Sequence, residues 1–154
     1  MLSGMAHDPP RPFRQRKEDT LARFTSDVDA WVASADASGA AYLVPLSFLW
    51  DGQAFTIVTP EASRTARNIR SSGRVRMGFG PTRDVTLVDG VVETFTLETV
   101  TEDVERPFAE RLWDARKDAD RHVWLRVTPE RILAWREVNE LPGRLLMRSG
   151  RWLG

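Results

Sequence analysis

The segment between Ser63 and Arg76 carries the strongest sign of chemistry in this sequence. It holds five arginines and no acidic residue in fourteen positions, within a chain whose formal net charge is +0. It follows a predicted strand and opens a predicted helix, where free helix N–H groups, hydroxyls and a guanidinium can converge on a phosphate. A solvated helix face is the alternative interpretation, and Glu61 near the helix start weighs against an anion site.

Other common chemistries lack the residues that they need. The chain has no cysteine, which excludes disulfides, thiolate zinc sites, iron–sulfur clusters and a cysteine nucleophile. Its two histidines, His7 and His122, are too few for histidine-rich metal sites, and they leave triads improbable. One acidic run is better explained as the first turn of a helix than as a metal site: Glu98, Glu102, Asp103 and Glu105. We therefore expect no metal, and no side chain stands out as a catalytic acid or base.

The length and composition indicate one ordinary globular domain. The chain has 154 residues, of which 42% are hydrophobic and 29% charged. No stretch approaches the roughly 20 apolar residues that span a bilayer, and the polar N-terminus does not look like a signal peptide. We expect a cytoplasmic protein, and the balanced charge makes binding to nucleic acid or to a membrane surface improbable.

The tryptophans are numerous for this length. The sequence has 6 of them, scattered along the chain: Trp31, Trp50, Trp113, Trp124, Trp135 and Trp152. Packing in the core and at a subunit interface explains most of them, because large aromatic side chains dominate both environments. One or two could instead stack on a planar ring.

Local patterns in the first half predict a flexible arm, a short helix and a hairpin. Prolines and charges over residues 1–17 predict the arm, and residues 18–24 a short amphipathic helix. Residues 27–36 have helical spacing, yet a turn cluster and a long apolar run follow, so helix and strand both stay open. Asp51-Gly52 predicts a hairpin between the run ending at Trp50 and a return strand over 53–59, with Pro45 at an edge or a bulge.

The second half predicts strands around two further helices. Thr59 and Pro60 resemble a helix start, with the helix continuing to Ile69 and ending at residues 71–73. Strands are predicted over 74–80 and 84–98, the latter with a hairpin turn or a glycine bend at Asp89-Gly90. A helix follows over 101–115, and then two short strands over 123–136, on either side of Pro129. The fold class is therefore mainly β, a barrel or sandwich of about six or seven antiparallel strands with two or three peripheral helices.

Several pieces together resemble the pyridoxamine 5′-phosphate oxidase superfamily of flavin-binding split β-barrels, particularly its small actinobacterial-type members that use FMN or a deazaflavin. The resemblance spans roughly residues 18 to 153. It is carried by the order and spacing of five segments: VPLSFLWDG (44–52), the strand ending in TP (59–60), SRTARNIRSSGRVRM (63–77), TRDVTLVDG (82–90) and AWREVNELPGRLLMRSGRWL (134–153). It implies that residues 18–154 form one split-barrel domain in which segment 27–36 is the first strand.

The resemblance also implies a homodimer with two cofactor sites at the subunit interface, the cofactor being FMN or the deazaflavin F420. The cofactor phosphate would meet the strand-to-helix junction, at Thr59, Ser63, Arg64, Thr65 and Asn68. The ring system would lie along Leu46, Ser47 and Phe48. Trp135 and Arg136 match a C-terminal segment that the partner chain contributes. Relatives commonly place a lysine three residues before the asparagine, and here that position is Thr65.

Three functions follow from these observations. The preferred one is an oxidoreductase in which the cofactor carries hydride chemistry toward an unidentified small-molecule substrate. The second is a protein that binds a flavin, a deazaflavin or another planar ligand without turnover, since neither the usual lysine nor an acid–base signature is present. The third, nucleic-acid binding through the arginine-rich helix, is disfavoured by the neutral net charge.

Overall fold

Residues 8–154 are described by a computed structural model, and they form three helices and eight strands. The elements in chain order are α1 (Phe13–Ser26), β1 (Asp29–Ala35), β2 (Ala41–Trp50), β3 (Phe55–Pro60), α2 (Arg64–Ser72), β4 (Arg74–Phe79), β5 (Val85–Phe95), α3 (Glu102–Arg111), β6 (His122–Trp135), β7 (Leu145–Arg148) and β8 (Arg151–Trp152). No helix in this part of the chain is long and apolar enough to cross a membrane.

Six of the strands close into an antiparallel barrel. Their order is β3-β2-β1-β4-β5-β6, and β3 also pairs with β6, which joins the two ends of the sheet. The last two strands, β7 and β8, extend the sheet beyond β6. The predicted fold class, a mainly β split barrel with peripheral helices, is confirmed. The two added strands lie in the segment 134–153, where the sequence pattern does not predict strands.

The barrel interior is filled by aromatic and aliphatic side chains from its strands and from α1. Phe24 of α1 is 1% exposed and meets Phe55 at a ring-centroid distance of 4.8 Å. Phe48 and Phe79 pack edge to face at 5.2 Å. A second, smaller cluster lies under α3 and includes Phe108 and Trp124. α1 therefore packs against the barrel core, and α3 covers the second cluster.

The first strands settle the ambiguity in residues 27–36. This segment forms β1, and its alternate side chains Ala30, Val32 and Ser34 are buried. The helical spacing is overridden because β1 pairs with β2 on one side and with β4 on the other, which a helix could not do. The hairpin at Asp51-Gly52 is confirmed. Pro45 lies in the part of β2 that has a partner only on the β1 side, which confirms the predicted edge position.

The N-terminal helix is longer than the sequence pattern predicts. α1 begins at Phe13, so residues 13–17, predicted as part of a flexible arm, are helical. The prolines of this region all precede the helix, where a missing N–H removes no hydrogen bond. Arg11 is anchored to Glu140 through a guanidinium–carboxylate contact of 2.8 Å. The rest of the predicted arm, including His7, lies outside the described residues.

Two further boundaries differ from the prediction. Thr59 and Pro60 do not start the helix, because β3 pairs with β6 as far as Pro60 opposite His122. The helix α2 begins at Arg64 instead, with Ser63 as its N-cap, and Gly73 ends it in the left-handed conformation at a φ of 67°.

The second correction concerns β6, which is one strand of 14 residues and not two short ones. Pro129 does not interrupt it, because it lies opposite Gly90 of β5 at a register shift between Asp89 and Gly90. The extra residue of the bulge accommodates the missing N–H of the proline. Asp89-Gly90 is therefore the glycine bend and not the hairpin turn.

Candidate functional site

The β3–α2 junction is built around two hydroxyl groups and the first turn of α2. The Ser63 hydroxyl accepts a hydrogen bond from the Ala66 N–H at 3.1 Å, and it lies 3.2 Å from the Thr59 hydroxyl. Within the described part of the chain, the N–H groups of Arg64 and Thr65 have no hydrogen-bond acceptor. The junction thus presents unpaired donors and hydroxyls at the positive end of a helix.

The junction lies where the barrel is split. β2 pairs with β3 only from Phe48 opposite Ile57 to Trp50 opposite Phe55. If this ladder continued, Leu46 would lie opposite Thr59. Instead the two strands separate, and residues 41–47 keep β1 as their only strand partner. Their backbone N–H and C=O groups on the other side form a free strand edge beside the junction.

Two side-chain contacts hold α2 over this split. The Asn68 side-chain amide donates to the Ser34 hydroxyl of β1 at 3.1 Å. The Arg64 guanidinium lies over the ring of Tyr42 of β2, 5.3 Å from the ring centroid. Ser34 and Tyr42 are register partners on the same face of the β1–β2 ladder, so both contacts fix α2 to one place on the sheet.

A carboxylate lies close enough to Arg64 to interact with its charge. The Ser38 hydroxyl, which donates to the Asp36 carboxylate at 2.7 Å, lowers the pKa of Asp36 below its ordinary value. The Arg64 guanidinium acts in the same direction. Because Asp36 also accepts from the Ala40 N–H at 3.0 Å, its oxygens are engaged in the turn and leave the guanidinium to face the split.

Most of the arginine cluster is neutralised by acidic residues from elsewhere in the sequence. Arg70 lies 4.0 Å from Glu61, Arg74 3.2 Å from Glu130, and Arg76 2.6 Å from Asp89. Among the described residues, only two members of the cluster, Arg64 and Arg67, have no ion-pair partner. The sequence could not show this, because two of the three acidic partners come from β5 and β6.

Glu61 does not compete for an anion at the junction. Its carboxylate forms an ion pair with Arg121 at 2.5 Å as well as the contact with Arg70. These three side chains, with Arg67, line a groove of about 570 Å³ on the outer side of α2. The sequence-based objection that Glu61 opposes an anion site is therefore removed by its position.

The remaining predicted residues of the first chain have different environments. Leu46 packs against the barrel core, and the Ser47 hydroxyl lies 2.6 Å from a carboxylate oxygen of Asp29. The Phe48 side chain is 1% exposed inside the barrel, so only its backbone can face a ligand. Thr65 and Asn68 are 2% and 5% exposed, which places their side chains beneath α2.

Trp135 and Arg136 are not brought to the junction within one chain. They lie at the end of β6 opposite to His122, whereas His122 pairs with Pro60 next to the junction. A strand of this length separates its ends by roughly 40 Å. Arg136 contacts Asp84 at 3.3 Å, and the Arg144 guanidinium lies 5.9 Å from the Trp135 ring centroid.

Sequence reasoning missed Tyr42 and Ser34 as part of this site. Their register follows from the turn at residues 36–39, and that turn is visible in the sequence. The α2 contacts that give the two residues a role are long-range and leave no local pattern.

The chain belongs to the pyridoxamine 5′-phosphate oxidase family, whose profile matches residues 18–136. A search of curated proteins gave no match. The solved structures that it resembles include the heme storage protein HutZ from Vibrio cholerae, at 14% identity and a TM-score of 0.63 over 88% of this chain and 99% of that one. An F420 reductase matches at 18% identity and a TM-score of 0.58 over 72% and 93% of the two chains. A FAD-binding protein from Mesorhizobium loti matches at 18% identity and a TM-score of 0.59 over 75% and 90%. At these identities the likeness establishes the fold.

Proposed function

We propose that this protein binds FMN or the deazaflavin F420 at the β3–α2 junction and acts as an oxidoreductase on a small molecule. The observation that carries the proposal is the position of the junction: hydroxyls, helix N–H groups and the Arg64 guanidinium meet beside the free edge of β2. Both cofactors join a phosphate to a planar ring system, and the site has one feature for each part.

The donor set fits a phosphate. The Arg64 and Thr65 N–H groups and the two hydroxyls offer neutral donors, and Arg64 adds a charge-assisted contact. Thr65 in place of a lysine leaves Arg64 as the charge nearest the junction hydroxyls. The burial of the Thr65 side chain means that its backbone N–H, and not its hydroxyl, would contact the phosphate.

The free edge of β2 fits the ring. Unpaired N–H and C=O groups along residues 41–47 can hydrogen-bond the polar side of a flavin or deazaflavin, as a strand edge pairs with another strand. Half-buried Val44 and Leu46 supply apolar surface there. When bound, such a cofactor supplies hydride transfer, and the protein contributes binding and orientation. That an F420 reductase and a FAD-binding protein share this fold supports the assignment.

A homodimer is part of the proposal. The outer face of β2, β1, β4 and β5 carries an exposed apolar patch, the outer apolar patch, formed by Trp31, Leu43, Pro45, Gly78 and Leu87. Trp31 is 53% exposed and Leu43 57%, which is unusual for side chains of this size on a monomer. A second copy seated on this patch would cover it, and it would bring its Trp135 and Arg136 toward a junction that one chain cannot reach.

Binding without turnover is the second candidate function, because no side chain at the junction is an evident acid or base. A heme-binding role, as in the heme storage neighbour, is less well supported by the described residues. His122, the one histidine among them, is 8% exposed, and its Nδ1 lies 2.8 Å from the Asp120 carbonyl oxygen. We place the protein in the cytosol, which a chain with no cysteine suits, and expect no nucleic-acid or membrane partner.

The proposal is tested by titrating purified protein with FMN and, separately, with F420 while following absorbance and cofactor fluorescence. Saturable binding of one of them identifies the cofactor. Arg67→Ala is the matched control for Arg64→Ala, because both arginines lack an ion-pair partner in the described structure but only Arg64 lies over Tyr42. Absence of binding to either cofactor would overturn the proposal.

Catalysis is separated from binding by a second measurement. Reduced cofactor is mixed with quinone and nitro acceptors, with and without protein. An oxidoreductase accelerates reoxidation by at least one acceptor, whereas a pure binding protein leaves the rate unchanged while still saturating.

A further inference from the structure

Three arginines stand side by side at the edge of the sheet that β7 and β8 extend. Arg148 of β7 and Arg151 of β8 are direct register partners. Ile132 pairs with Met147, so Arg131 of β6 falls next to Arg148, and both line the same groove. Directly opposed residues on neighbouring strands point to the same face, at Cβ separations of about 5 Å. We call these residues the arginine row.

The arginine row has no ion-pair partner in the part of the chain that the structure describes. Asp89 faces Arg131 across the β5–β6 ladder, but its two carboxylate oxygens accept from Arg76 at 2.6 and 2.9 Å. Glu130 is paired with Arg74 at 3.2 Å. Like charges directly opposite each other destabilise a sheet, so the row carries an uncompensated repulsion that a bound anion would relieve.

The surroundings of the row are concave and preformed. A groove of about 530 Å³ is lined by Arg131, Arg148, Thr128, Glu130 and the Ser149-Gly150 turn. Both turn residues are left-handed, at φ values of 53° and 77°, which suits a tight two-residue hairpin. The Gly150 N–H donates to the Glu130 carbonyl oxygen at 2.8 Å, and this bond ties the hairpin to β6.

We propose that the arginine row is a second anion-binding site, specific for a small oxyanion with at least two negative charges, such as a phosphate group or a dicarboxylate. Guanidinium groups bind both through paired N–H···O bonds. The site is separate from the junction, because Arg131 lies nine residues along β6 from His122, roughly 30 Å of strand. It also lies several strands away from Trp31 and Leu43, toward the rim of an interface centred on the outer apolar patch.

The experiment uses backbone amide shifts of the full ¹⁵N-labelled chain, titrated with inorganic phosphate and with succinate at constant ionic strength. Site-resolved shifts separate this site from the junction. We expect saturable shifts at Ser149 and Gly150, with an affinity that falls at least fivefold in Arg148→Gln and in Arg131→Gln. Arg148→Lys should retain part of the affinity. Arg14→Gln is the control, since Arg14 is an exposed arginine on α1 paired with Glu18 and removes the same charge elsewhere.

Each result decides the proposal. Saturation at the hairpin that Arg148→Gln abolishes and Arg14→Gln preserves supports it. Shifts that stay linear, that occur only at Ser63 and Ala66, or that are equally weakened by Arg14→Gln overturn it. Saturation by phosphate but not by succinate narrows the ligand to phosphate groups.

Discussion

At the scale of single residues, Arg64 shows how a surface side chain is prepared for an anion. A free arginine must lose much of its rotamer freedom when it binds, whereas this one already rests on the Tyr42 ring. The engaged Asp36 nearby adds to its placement without capturing it. The residue types in the sequence point to this junction, but which arginine remains free depends on ion partners distributed over the whole chain.

We predict that Arg64→Ala weakens binding of the phosphate-bearing cofactor about tenfold, the effect of losing one charge-assisted hydrogen bond. Tyr42→Leu should weaken it by roughly two- to fivefold, since a partly exposed cation–π contact contributes about 0.5–1 kcal/mol. Tyr42→Phe keeps the ring and should bind normally.

A double-mutant cycle by cofactor titration checks the coupling. If Tyr42→Leu weakens binding equally in the presence and absence of Arg64, the tyrosine does not act through the arginine.

Glu140 is a second residue whose environment the sequence does not reveal. The Arg11 guanidinium hydrogen-bonds this buried carboxylate, and the backbone N–H groups of Arg11 and Arg136 add to the effect, so the pKa of Glu140 falls from its ordinary 4.5 to about 2. Since the pKa is lower in the folded state, the stabilisation is complete above pH 4.5 and is lost as the pH falls toward 2. The shift corresponds to about 3 kcal/mol.

We predict that Glu140→Gln lowers the free energy of unfolding at pH 7 by about 2–4 kcal/mol and flattens its dependence on pH between 4.5 and 2. Urea unfolding at several pH values measures both effects. Glu18→Gln is the control, because Glu18 is 56% exposed in its ion pair with Arg14 and should change stability little. A Glu140→Gln curve parallel to that of the wild type across this range would contradict the assignment.

At the scale of elements, the β5–β6 bulge explains how one long strand accommodates a proline. A Cβ at Gly90 would lie 2.6 Å from Val127 Cγ1 and 3.0 Å from the Thr128 carbonyl oxygen, so the bend also requires the smallest side chain. The sequence predicts strand on both sides of Pro129 correctly. It cannot show that the strand is continuous, because the compensating residue lies on β5.

We predict that Gly90→Ala destabilises the protein by about 1–3 kcal/mol, the usual range for overpacking a rigid site. Gly78→Ala on the adjacent strand β4 is the matched control, because its Cβ would make only ordinary contacts, at 3.6 Å or more. Denaturant unfolding of both variants compares them. Equal stabilities would mean that the bulge relaxes freely around the methyl group.

At the scale of the whole molecule, the outer apolar patch is the feature that most affects assembly. Strand alternation in the sequence predicts which residues of β1 and β2 share a face, yet whether that face is covered depends on a partner. The helices α1, α2 and α3 pack elsewhere, and within the described residues the patch stays open to solvent.

We predict that the wild type has twice the 17.5 kDa mass of one chain in light scattering at micromolar concentration, and that Leu43→Glu shifts it toward the monomer. Val138→Glu is the control, since Val138 is 69% exposed but lies outside the patch. A wild-type mass near that of one chain would remove both the dimer and the two-chain cofactor site.

The pairing of β3 with β6 also governs when the molecule acquires its shape. It joins segments far apart in the sequence, such as Thr59 and Val123, so the entropy of closing a long loop must be overcome before this contact contributes. Barrel closure therefore belongs late in folding, after the local hairpin of β1 and β2 has formed. Thr59 is part of the junction, so the anion-binding geometry is completed only with that last step. An anion held there contributes little to the folding transition state, and it prolongs the lifetime of the native state by slowing unfolding.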